Sequence, residues 1–153
     1  MYNILQFLHS WSRWAVVILA VFAIANAFIG WLNNKSFEKK DNILNASFVG
    51  FMHLQLLGGL ILYFVYSPLG FEAFSRTDIN VMKTASVRYW AVEHITVMIL
   101  AVVLAQIGRS LSKKATESII KHKKAAIFFS ISFVLMMSRI PWGESARLFR
   151  GLN

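Results

Sequence analysis

The chain has no cysteine among its 153 residues. Disulfides, zinc–thiolate centres, iron–sulfur clusters and thiol catalysis are therefore excluded, and any haem would be held non-covalently, as haem b. Charge is also scarce. Asp, Glu, Lys and Arg make up 15% of the residues, against about 25% in an ordinary soluble domain. Acid is scarcest, with seven Asp and Glu against sixteen Lys and Arg. The two prolines, Pro68 and Pro141, fall near the ends of apolar runs, where they stop or kink a helix. There is no Ser–His–Asp constellation, phosphate loop, nucleotide fingerprint, internal repeat or low-complexity tract.

What is present is apolar: 57% hydrophobic residues, of which aromatics supply 14% of the chain. A transmembrane helix needs about 20 mostly apolar residues. Four segments meet that requirement, at 4–32, 43–66, 87–108 and 125–142. The expectation is one all-α domain over 1–153, an integral membrane up-down four-helix bundle. The first run is long, carries Arg13 and lacks a small-residue cleavage site, so it reads as a retained membrane helix rather than a signal peptide.

The formal net charge is +9. In a soluble protein that would favour nucleic-acid binding. Here the basic residues crowd the short connections between apolar runs, as on the cytoplasmic side of a membrane, and nucleic acid is not the expected partner. The first connection holds Lys35, Lys39 and Lys40. The third holds Arg109, Lys113, Lys114, Lys121, Lys123 and Lys124. The positive-inside rule places both in the cytoplasm and both termini outward. Trp11, Trp14, Tyr63, Tyr66, Tyr89, Trp90 and Trp142 would mark the outer interface, and Trp31 the inner one. Trp14 and Trp31 are roughly 25 Å apart at helical rise, close to the hydrocarbon thickness. Residues 67–86 mix apolar and polar side chains and read as lying along the membrane surface.

Ionisable residues inside a membrane are expensive and point to function. They are Arg13, His53, Glu93, His94 and Arg139, with His9 at the outer edge. Two histidines on different helices at similar depth can hold a haem iron from both sides. His53 and His94 meet the depth requirement best. His9 and His94 meet it less well, but an up-down topology sets their helices diagonally opposite. Gly50, Gly58 and Gly59 near His53 would admit a flat ring system or a neighbouring helix, the latter being the commoner use. Met98 shares a helix face with His94 and reads as core. Arg13, Glu93 and Arg139 form one polar layer. Glu93 neutralises one arginine and the spare one can meet an anion; Arg13 and Arg139 are the candidates to anchor haem propionates. Gln55 and Gln106 read as interhelical hydrogen-bonding groups. His122, within "KHKK", reads as solvated.

The segments "HSWSRW" (9–14), "HLQLLGGLILYF" (53–64), "EHITVM" (93–98) and "SRIPW" (138–142) resemble a family of small bacterial four-span proteins labelled cytochrome b-like. The resemblance covers most of the chain. It implies haem b and electron transfer, with His9, His53 and His94 as candidate ligands. Electrons would pass to or from quinone or a respiratory complex. Two other readings remain open: a haem-free accessory or assembly subunit of a larger membrane complex, and a small outward-facing anion- or lipid-binding protein. The chain could also associate with copies of itself.

Overall fold

The computed structural model describes residues 1–151, and those residues are helical without strands. The elements are α1 (Tyr2–Leu32), α2 (Lys39–Ile61) with a π-helical extension (Leu62–Tyr66), a 3-10 turn (Phe71–Ser75), α3 (Ala85–Arg88), a π-helical stretch (Tyr89–His94), α4 (Ile95–Lys114), α5 (Ser118–Ser138) and α6 (Ser145–Leu148). From α3 to α4 the chain runs as one continuous rod.

Packing follows residue size. The buried positions of α1 are Val16, Ala20, Ala23 and Ala27, and Ala101, Ala105, Ala125 and Ala126 answer from α4 and α5. The i, i+3, i+4 spacing on α1 and the i, i+4 pair on α4 make narrow small-residue stripes, and with Ala125 and Ala126 of α5 they let the backbones approach closely. Phe48 and Phe129 fill the centre, edge to face with ring centroids 5.0 Å apart. Ser132 ties α5 to α4 by donating to the Ala101 carbonyl at 2.7 Å. Large side chains point outward instead: Phe22, Leu54 and Val134 are each more than 60% exposed. A small-residue interior beneath a bulky apolar exterior is the inverse of a water-soluble helical protein.

α1 packs against α2 and α5, and α4 packs against the same two, which leaves α1 and α4 diagonal to one another. Three of the helical rods are long and apolar enough to cross a membrane: Tyr2–Leu32, Lys39–Ser75 and Ala85–Lys114. The fourth expected span differs. α5 begins at Ser118 and stops at Ser138, so Lys121, Lys123 and Lys124 occupy its early turns. The apolar helix beyond them is about 21 Å long at helical rise.

The two ends contrast. One end carries both termini. The other, basic end carries the turn after α1 and the α4–α5 connection. α1 closes through Asn34, in the left-handed region (φ 50°), where asparagine is tolerated. α2 then starts with Asp41 accepting from the Glu38 backbone N–H at 2.7 Å. His122 was expected in solvent, but it is 2% exposed. Its lysine neighbours are each turned about 100° from it around the helix, so it points inward. There it packs so closely on Gly30 that any Cβ at that position would collide with the ring. A separate small apolar cluster of Ala73, Val81, Val87 and Ala91 holds the 67–86 connection against the rod, with Phe71 and Phe74 exposed.

Candidate functional site

A cavity of about 150 Å³ lies between the helices at the end carrying the termini. Its walls are apolar, with Met52, Leu56, Met98, Val102 and Met136 among the lining residues. Its polar groups come mainly from α1, the π-helical stretch and the C-terminal tail.

His9 and His94 both line this cavity, one from each of the two diagonal rods. His94 Nδ1 lies 2.9 Å from the Arg139 carbonyl oxygen. That carbonyl is free because α5 has just ended and its last carbonyls lack intrahelical partners. With Nδ1 as the donor, Nε2 keeps the lone pair, the arrangement that fixes tautomer and orientation in metal-ligating histidines. Tyr89 donates to the same oxygen at 2.8 Å. His94 ends the π-helical stretch Tyr89–His94, and Tyr63 donates at 2.8 Å to the Ala91 carbonyl within it. Such stretches recur at functional sites because they re-aim side chains.

His9 packs against Gly59, where an added Cβ would stand 3.1 Å from His9 Cε1. Its Nδ1 is buried without a partner. Gln55 crosses from α2 to donate to the His9 carbonyl at 2.7 Å and accepts from Ser12. α1 is thereby pinned to α2 beside the imidazole, and Gln55 acts as the interhelical group expected of it.

His53 lies elsewhere. It is exposed on α2 with Nδ1 2.8 Å from the Val49 carbonyl of its own helix, and it does not line the cavity. Met52 and Gln55 do. One residue is about 100° of helical rotation, which turns His53 off the face its neighbours occupy. The pair brought together is His9 with His94.

The polar layer sorts itself. Glu93 pairs with Arg88 at 2.9 Å and with Arg139 at 3.6 Å. Arg139 does not line the cavity; Arg13 does. Arg13 is buried and meets no carboxylate. Its Nη2 donates to the Arg147 and Leu148 carbonyls at 3.0 and 2.9 Å, while its Nε has no partner. Trp14 donates to the Leu148 carbonyl and Trp11 to the Arg150 carbonyl. Phe149 stacks on Trp14 at 5.4 Å. The tail is thus strapped across the start of α1. It brings Arg147 and Arg150 to the cavity, with Arg147 held 4.3 Å over the Trp90 ring. The lining includes three guanidinium groups and no Asp or Glu. Arg147 and Arg150 are not among the candidate site residues read from the sequence. Nothing local marks a tail residue as returning to a helix that starts at the other terminus.

Among the described residues no three His, Cys, Asp or Glu side chains converge as a metal-binding group. What the cavity offers is a pair of imidazoles, apolar walls and a cationic rim. No protein-family model matches the chain, and neither a curated protein nor a solved structure shows significant similarity to it.

Proposed function

We propose that the chain is a b-type haem protein of a bacterial cytoplasmic membrane that takes part in electron transfer. It spans as an up-down four-helix bundle with both termini outward. The apolar exterior and the three long apolar rods support the membrane setting. In this reading α5 is the fourth span, its early lysines reaching toward the cytoplasmic interface.

The observation that carries the haem reading is that His9 and His94, from diagonal helices, line one apolar cavity together with Arg13, Arg147 and Arg150, of which Arg147 also pairs with Glu144. The residues fit the group. His94 has its Nδ1 engaged and a lone pair to give, and His9 is a half-buried imidazole whose Nδ1 is buried without a partner. Gly59 lets the His9 ring pack against α2. Arg13 and Arg150 suit carboxylates through their planar forks, while Arg147 already pairs with Glu144. When bound, haem supplies one-electron redox chemistry. His9 and His94 would hold the group, and the chain would supply a low-dielectric pocket and positive charge at its rim. Quinone or a respiratory complex is the proposed redox partner.

A second reading follows from the rim alone: three guanidinium groups above apolar walls would also hold an anionic amphiphile. The visible spectrum of detergent-purified protein, oxidised and then dithionite-reduced after expression with ample haem, separates the two. A Soret band with sharp reduced α and β bands is expected. A colourless protein would overturn the haem reading. It would leave the amphiphile site, or a haem-free accessory subunit, as the alternatives.

A further inference from the structure

The buried His122 opens a second site, at the basic end. Its ring lies 5.0 Å from that of Phe37. Both ring nitrogens are buried and neither has a partner. An imidazole offers at least one N–H in either protonation state, and buried donors in native proteins are almost always met. His122 lines a pocket of about 300 Å³ together with Asn26, Lys35, Ser36, Glu38, Lys40 and Asp41.

The acids in that pocket are already satisfied. Asp41 accepts from Asn26 at 2.8 Å and from the Glu38 N–H at 2.7 Å. Glu38 pairs with Lys40 at 3.0 Å. Among the described residues, the lining side chains left without a partner are Lys35, Ser36 and His122, a set rich in donors. Further cations stand close by: Lys121 lies 5.4 Å over Phe37, and Lys123 5.4 Å over Trp31.

We propose that this pocket binds a phosphate group, from an acidic phospholipid headgroup or from free inorganic phosphate, with Lys35 and His122 as donors. The lining balances Lys35 and Lys40 against Glu38 and Asp41, and Lys121 and Lys123 nearby supply the surplus positive charge that suits an acidic headgroup; an ammonium with a ring N–H gives charge-assisted hydrogen bonds to phosphate oxygens. The site shares no residue with the haem cavity. Only its lipid source rests on the membrane reading.

The test uses the full chain, delipidated in an uncharged detergent. Phosphatidylglycerol and phosphatidylcholine are compared by native mass spectrometry, and inorganic phosphate is titrated by calorimetry. Retention of phosphatidylglycerol over phosphatidylcholine assigns the lipid source. Phosphate binding without lipid preference assigns the free anion. In either case Lys35→Gln is expected to weaken binding about tenfold, the worth of one charge-assisted hydrogen bond. His122→Gln should weaken it further and leave any visible spectrum unchanged. No binding of either probe, or binding indifferent to Lys35→Gln, overturns the proposal. Lys35 is exposed, so its substitution leaves folding intact even if His122→Gln does not.

Discussion

The Nδ1 of His94 lies 2.9 Å from the backbone carbonyl oxygen of Arg139. The contact is with main chain, so the arginine side chain can be removed without touching it. In the haem reading, His94→Ala and His9→Ala each abolish the low-spin spectrum, while His53→Ala keeps it. Arg139→Ala should also keep it. Its side chain is 36% exposed and sits 3.6 Å from Glu93, so the stability cost should be within about 1 kcal/mol. Reduced-minus-oxidised spectra of the four variants check this. Loss of the spectrum in His53→Ala alone would sink the His9–His94 assignment.

Two glycines make opposite predictions. A Cβ at Gly30 would run into the His122 ring, whereas one at Gly50 meets nothing within 4 Å. Gly30→Ala should destabilise by about 1–3 kcal/mol through overpacking. Gly50→Ala should be neutral, or stabilising by about 0.5–1 kcal/mol through helix propensity. Thermal unfolding in detergent would distinguish them, and equal behaviour would contradict the packing at Gly30.

Arg13 holds the C-terminal strap through the Arg147 and Leu148 carbonyls. Arg13→Gln removes a charged donor from both and should cost about 1.5–3 kcal/mol. The tail should then become a preferred site of limited proteolysis, and Trp14 fluorescence should change as Phe149 leaves its ring. A tail as resistant as in the parent protein would show that the aromatic contacts suffice.

Ser132 is fully buried and has one partner, the Ala101 carbonyl. Ser132→Ala should cost about 1 kcal/mol, the net worth of one such hydrogen bond. An unchanged unfolding midpoint would argue against that contact between α4 and α5.

Because the chain has no cysteine, single introduced thiols report topology without background. Ser36→Cys should react with an impermeant maleimide only from the cytoplasmic side. Asn3→Cys and Ser145→Cys should react only from outside. Labelling of all three from one side would refute the up-down arrangement.

Which stretches form long apolar helices follows from composition, a local property, and 4–32, 43–66 and 87–108 could be read directly from the sequence. The aromatic and basic residues likewise marked two chemically different ends. The direction of each histidine depends on about 100° of rotation per residue and on which neighbour lies there. Depth counting therefore favoured His53, while packing brought His9 to His94. The pairing of Glu93 with Arg88 and Arg139, and the burial of His122 against Gly30, depend on contacts between helices distant in the chain. The cationic rim depends on the tail folding back onto α1, held by Trp11, Arg13 and Trp14 reaching its carbonyls. The sequence by itself determined the helices and the polarity of their ends, because hydrophobic length and charge act locally. The tertiary structure alone decided which polar groups share a cavity, because that depends on helix rotation and long-range packing.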